Sequence, residues 1–192
     1  MAVLSIRMIG DPVLRTPAAS VEAVDERILR LVEDMYETMD DARGIGLAAN
    51  QVGVGLRIFT YDVGGSRGAV INPRLETSGE PEFTPREQAE GPAEGENLLK
   101  EGCLSVKEIY GPVARPQQAR LTGLAPDGST VEVSASGLLA ACFQHEIDHL
   151  DGRLFLDRLR GEEKKEALRK LRGQPAPAPA APSLPSAFGG LR

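Results

Sequence analysis

Apolar residues recur at two spacings along this chain, and the switches between them lay out its elements. Over residues 25–42, Ile28, Leu31, Val32, Met35 and Met39 return every third or fourth position, which predicts an amphipathic helix with Asp25 as its cap. Gly44-Ile45-Gly46 ends it. Residues 56–63 and 69–75 alternate at the period of a strand, the second closing at Asn72-Pro73. Asp127-Gly128, set between residues 120–125 and 130–134, predicts a hairpin. Residues 137–150 are mostly apolar, with Leu138, Leu139, Ala141, Cys142, Ile147 and Leu150, Ser136 as N-cap and Gly152 as stop. That is the pattern of a buried helix. A last, charged helix is expected over 162–171, with Glu166 and Lys170 one turn apart.

Two stretches interrupt this order. Residues 76–100 carry repeated Glu with Pro and Gly, so an exposed acidic loop is expected there, and the Pro/Ala-rich residues 173–192 read as an extended tail. One domain is therefore expected over residues 1–172, long enough to bury a core without staples. No apolar run reaches membrane-spanning length, so no membrane role is expected. Residues 1–7 meet Gly10-Asp11-Pro12 too soon for a signal peptide, and cytoplasm is the expected compartment. The net charge of −6 argues against direct nucleic-acid binding. The two cysteines, Cys103 and Cys142, read as free thiols in a reducing compartment, one of them available to a metal.

Chemistry concentrates in the predicted buried helix. The chain's two histidines lie in Gln144-His145-Glu146-Ile147-Asp148-His149, an H-E-x-x-H pattern. Residues four apart share a helix face, so both imidazoles can reach one ion while Glu146 handles the protons of a water beside it. Satisfied core histidines are the plainer alternative, but burying two imidazoles, a glutamate and an aspartate is costly without partners. A third ligand is needed. Position 155, where long-spacer zinc proteases place a histidine, is Phe155. Glu162, Glu163 or Glu166 could serve from the last helix, and an upstream cysteine is the remaining soft donor. A closed structural zinc site of Cys103, Cys142, His145 and His149 also fits the spacing.

Three blocks make the chain recognisable: Gly44-Ile45-Gly46-Leu47-Ala48-Ala49-Asn50-Gln51-Val52-Gly53, Glu101-Gly102-Cys103-Leu104-Ser105, and the histidine block. In this order they resemble peptide deformylases over about residues 4–160, including the opening Gly10-Asp11-Pro12-Val13-Leu14-Arg15. The resemblance implies an α+β fold, with antiparallel sheets packed around a central metal-binding helix and an N-terminal helix. It implies Cys103, His145 and His149 as metal ligands and Glu146 as general base and acid. The side-chain amide of Gln51 and the backbone N–H of Leu104 would face the oxyanion. Ile45, Gly46, Gly102, Leu138, Ala141 and Cys142 would meet a formylmethionyl substrate. Ferrous iron is the implied physiological ion, with zinc often in its place, and the same donors suit nickel or cobalt. The implied partner is a nascent formylated peptide at or near the ribosome. Lys107 departs from the family, standing where many members have proline.

Overall fold

The protein is described by a computed structural model covering residues 2–84 and 98–174. Helix α1 (Glu26–Asp41) forms where the three- and four-residue spacing places it, and the Asp25 carboxylate accepts from the N–H groups of Arg27 and Ile28 as N-cap. Next come β1 (Gly46–Ala48), a 3-10 turn (Ala49–Val52), β2 (Ile58–Val63) and β3 (Ser66–Phe83). β4 (Lys100–Cys103), β5 (Val106–Pro112), β6 (Ala114–Leu124) and β7 (Thr130–Ser136) follow, then α2 (Gly137–Leu150), α3 (Phe155–Arg158) and α4 (Gly161–Gly173). All strands pair antiparallel, in a five-stranded sheet of order β1-β2-β3-β6-β7 and a separate β4-β5 hairpin. This is the α+β architecture that the resemblance implies.

Three apolar clusters hold the elements together. Ile28, Leu31, Met35 and Met39 of α1 pack against Leu47, Ile58 and Ile71 on one face of the large sheet. On the other face Phe143 and Leu150 of α2 pack against Phe59, Tyr61, Val70 and Leu121, with the Tyr61 and Phe143 rings edge-on at 4.9 Å. β2 is thus buried on both faces, which its run Ile58-Phe59-Thr60-Tyr61 reflects. The third cluster joins the β4-β5 hairpin, through Val106 and Ile109, to Phe155, Leu156, Leu159 and Ala167 of the C-terminal helices. Gln174 Nε2 adds a hydrogen bond of 2.7 Å to the carbonyl of Lys107 on β5.

The expected acidic loop over 76–100 is corrected at its start. Residues 76–83 continue β3 and pair with β6 as far as Phe83 opposite Ala114. Their side chains are exposed on both faces, so no apolar alternation marks them; the strand is held by its ladder. Nor does Asn72-Pro73 close the strand: Asn72 adopts φ 51° at a register shift between Ile71 and Arg74, and Pro81 sits at a second. Residue 100 opens β4, the remainder of the expected loop (85–97) lies outside the described residues, and so do residues 175–192 of the expected tail. Gly173, placed in that tail by composition, ends α4.

Candidate metal centre

Three separate elements deliver the site. The N-terminal segment stitches two of them together: Arg7 N–H donates to the Gln51 carbonyl at 2.7 Å and Ile9 N–H to the Ser105 carbonyl at 2.8 Å. This ties the 3-10 turn to the β4-β5 hairpin, whose two-residue turn is Leu104-Ser105. α2 supplies the third, passing both histidines beneath the hairpin.

Cys103, His145 and His149 come together with their ligand atoms all within 4.8 Å of one another. His149 Nε2 stands 3.1 Å from Cys103 Sγ. His145 presents Nδ1 to Glu101 Oε2 at 3.0 Å, which leaves its Nε2 for the cluster. Among the described residues, neither Cys142 nor Glu162, Glu163 and Glu166 belong to this group. The Cys142 thiol instead donates to the Ile45 carbonyl at 3.4 Å, so the closed four-ligand arrangement is not formed. Phe155 stacks on His145 with ring centroids 6.3 Å apart.

A thiol sulfur with two imidazoles is a donor set for a borderline divalent ion, and three protein donors leave a coordination position open. The electrostatics agree. Burial would drive a proton off His145, but the Cys103 sulfur and the Glu101 carboxylate outweigh it and hold the ring well above its ordinary range. The site calls for positive charge at that point, which a cation can supply. Burial, with His145 and Arg115 nearby, pushes His149 the other way, so its ring is neutral and offers a lone pair. The three residues fit the ion.

Glu101 is itself held by a buried chain of charges that sequence reading missed. Arg115 grips it with Nε at 2.5 Å from Oε1 and Nη2 at 2.9 Å from Oε2. Arg115 Nη1 also donates to Asp148 at 3.0 Å, and Arg158 donates to Asp148 from the outside at 2.5 Å. Burial would raise the Glu101 carboxyl, but Arg115 and His145 outweigh it and hold it at about 2. Glu101 therefore stays charged and fixes the His145 ring. Its place in the cysteine block, which Ser105 shares, is the only sequence signal for it; Arg115 carries none.

Glu146 is 3% exposed, and burial raises its carboxyl to about 7 despite His145 and Arg115 nearby. Its Oε2 has no hydrogen-bond partner among the described residues. Room for it is made by Gly46, where an added Cβ would stand 2.8 Å from Glu146 Cδ and 3.0 Å from Cys142 Sγ. A Cβ on Gly102 would likewise strike the Tyr110 ring at 2.6 Å. The glycines expected to admit substrate backbone thus also make way for the protein's own side chains. Gln51 Oε1 accepts from the Ala48 N–H at 2.8 Å, which turns Nε2 toward Ser105 Oγ (3.2 Å) and Cys103 Sγ (3.6 Å).

A cavity of about 970 Å³ opens over these groups. Cys103, His145, Glu146, Gln51 and Leu104 line it, and so do Ile45, Gly46, Gly102, Leu138, Ala141 and Cys142, which the sequence singled out. His149 is buried behind it. Val3, Ser5 and Tyr110 on the wall were not foreseen.

The family model for polypeptide deformylases matches residues 3–165. A peptide deformylase of Mycolicibacterium paratuberculosis is 46% identical over 184 residues, covering 90% of this chain and 89% of its own. One from Acidothermus cellulolyticus is 46% identical over 172 residues, covering 90% and 87%. Among solved structures, a peptide deformylase from Ehrlichia chaffeensis in complex with actinonin superposes with a TM-score of 0.77 at 37% identity, covering 90% of this chain and 98% of its own. The metal-competent cluster, the buried glutamate beside it and these matches together make the chain a member of the polypeptide deformylase family.

Proposed function

We propose that this chain removes the formyl group from N-terminal formylmethionine of nascent polypeptides, with Cys103, His145 and His149 holding one divalent ion and Glu146 moving the proton. The observation that carries the reading is the meeting of one sulfur, two imidazoles and a buried carboxyl at the floor of one cavity. The ion, when bound, acidifies a water so that a nucleophile exists near neutral pH.

The protein's own groups do the rest. Glu146, with its carboxyl raised to about 7, takes the proton released as the water oxygen bonds to the formyl carbon. It returns that proton to the amine nitrogen as the C–N bond breaks, so the products are formate and a peptide with a free methionyl amine. The Gln51 side-chain amide and the Leu104 N–H stabilise the oxyanion; losing one such donor costs about 100- to 1,000-fold in rate. Ile45, Gly46 and Gly102 receive the peptide backbone, while Leu138, Ala141 and Cys142 form the apolar wall for the methionine side chain. Ferrous iron is the proposed working ion, and zinc, nickel and cobalt suit the same donors. The substrate being a nascent N-terminus, the encounter is placed at or near the ribosome in the cytoplasm.

Formate release from a formyl-Met-Ala-Ser peptide by the iron-loaded protein tests this, with Glu146→Ala as control. Release abolished by Glu146→Ala is expected. No release from an intact, iron-loaded sample overturns it. Cys103→Ala should also lose the metal, whereas an endopeptidase with a downstream ligand would keep it.

A further inference from the structure

The 3-10 turn Ala49–Val52 carries two adjacent amides, Asn50 and Gln51, both buried. Gln51 reaches the hairpin that bears Cys103. Asn50 reaches α2 instead, where its Nδ2 donates to the His149 carbonyl oxygen at 2.5 Å. That contact fixes which end of the amide is which, because an amide oxygen turned against a carbonyl oxygen at this distance would be repelled.

One atom is then left over on each partner. Asn50 Oδ1 and His149 Nδ1 are both buried, and neither has a hydrogen-bond partner among the described residues. Asn50 Oδ1 can only accept. His149 faces Cys103 Sγ with Nε2 at 3.1 Å, so a ring that keeps its lone pair there carries its proton on Nδ1 and can only donate from it. A buried donor or acceptor left alone costs about 1–3 kcal/mol, and these two are complementary. They also belong to residues already tied together through the backbone carbonyl of His149.

We propose that Asn50 is a positioning residue for His149: its amide oxygen takes the Nδ1 proton through one buried water, while its amide nitrogen holds the carbonyl of the same residue. The inference rests on His149 being a metal ligand. It gives each ligand imidazole an outer partner, the Glu101 carboxylate for His145 and the Asn50 amide for His149. The neutral partner fixes the tautomer and aim of the second ring without adding charge. One short turn thereby clasps the hairpin with Gln51 and the metal-binding helix with Asn50.

The test uses the full chain, loaded with zinc and labelled with nitrogen-15 histidine, whose two rings give a simple spectrum. In the wild type, the His149 ring should carry its proton on Nδ1 and exchange it slowly with solvent. Asn50→Leu, which removes both ends of the amide, should release zinc to a chelator about 10- to 100-fold faster. Asn50→Asp keeps an acceptor for the ring proton but sets a carboxylate oxygen against the His149 carbonyl, so it should release zinc faster than the wild type yet several-fold more slowly than Asn50→Leu. An Nε2–H tautomer, an Nδ1–H that exchanges as fast as free imidazole, or an Asn50→Leu variant with wild-type zinc release overturns the proposal, as does an Asn50→Asp variant as leaky as Asn50→Leu. The wild-type spectrum is decisive even if Asn50→Leu does not fold. A wild-type His149 ring that ignores zinc sinks the ligand assignment and this inference with it. A ring that responds to zinc while Asn50 proves indifferent leaves the ligand assignment standing.

Discussion

Gly46→Ala isolates one geometric demand of the site. The added methyl would stand 2.8 Å from the Glu146 carboxyl carbon and 3.0 Å from Cys142 Sγ. Carbon atoms in contact prefer about 3.5–4.0 Å, so the carboxyl must withdraw by roughly 1 Å. Little else should change. Gly46 does not lie in the left-handed region, so alanine brings no backbone strain, and its flanks stay paired, Gly46 opposite Tyr61 and Leu47 opposite Thr60. Overpacking of this kind costs about 1–3 kcal/mol. Part of that is offset by the stiffer unfolded chain, worth about 0.4–1 kcal/mol. A fall in melting temperature of roughly 2–8 °C follows for a chain of this size.

The catalytic loss should be larger. Displacing a proton-transfer group by about 1 Å costs on the order of 100-fold, close to 3 kcal/mol of barrier. The assay is formate release under saturating formyl-methionyl peptide, with metal content measured on the same sample. Expected are a kcat about 100-fold down, full metal content and a folded protein. The double variant Gly46→Ala/Cys142→Ala opens space on the sulfur side alone and should recover about tenfold. Gly55→Ala, whose Cβ would meet nothing within 4 Å, is the silent control. A Gly46→Ala enzyme within threefold of wild-type kcat, or one that has lost its metal, refutes the reasoning.

Three further outcomes follow from the buried charges and thiols. Glu101→Gln strips Arg115 of its charged partner and His145 of its orienting acceptor; it should cost about 3–5 kcal/mol of stability and weaken zinc binding about 10- to 100-fold in chelator competition. Because the folded carboxyl of Glu101 lies below its ordinary value of 4.5, at about 2, its stabilisation is present above pH 4.5 and drains away as the pH falls toward 2. Urea midpoints of chelator-treated protein should therefore drop over that window in the wild type and stay flatter in Glu101→Gln. Glu146 has the opposite sign: its carboxyl is raised from 4.5 to about 7, so stability present below pH 4.5 is lost as the pH climbs through 7. Glu146→Gln should remove that loss, and a variant that keeps the wild-type slope would contradict the assignment. Finally, burial pushes the Cys142 thiol well up, whereas Cys103 is partly exposed. Metal-loaded protein should show no fast-reacting thiol, chelation should reveal one, and denaturant the second; two fast thiols after chelation would be inconsistent with the buried Cys142.

What the sequence revealed depended on whether a residue's partners lie nearby in the chain. Ile28 to Met39 and Leu138 to Leu150 advertise their helices because each residue's neighbours sit three and four places away, and the two histidines are spaced by the same rule. Cys103 is 42 positions from His145, and only the likeness to a known family joined them. Arg115 was invisible for the same reason. A lone arginine in a strand reads as a solvent-facing charge, yet this one is 3% exposed between Glu101 and Asp148. The end of β3 failed differently: residues 76–83 have no buried face to imprint a period, so their acidic composition imitates a loop while their backbone is laddered to β6 on both sides of the shift between Ser78 and Pro81.

The two buried carboxyls next to the histidines show why composition could not assign their roles. Glu101 and Glu146 are the same chemical group, both shielded from water and both near His145, yet they are driven to opposite sides of the ordinary carboxylate range. The difference is which of them Arg115 touches. Arg115 wraps both oxygens of Glu101, so that group cannot give up its charge and is suited to orient a ring. Glu146 receives no such clasp; one of its oxygens has no hydrogen-bond partner among the described residues, and burial outweighs the pull of His145 and Arg115 on its proton. A carboxyl balanced near neutral pH can exchange a proton in either direction at little cost, whereas one held at about 2 cannot. Moving Arg115 from one carboxylate to the other would exchange their roles, and the strand pairing that places β6 beside β3 and α2 is what prevents it.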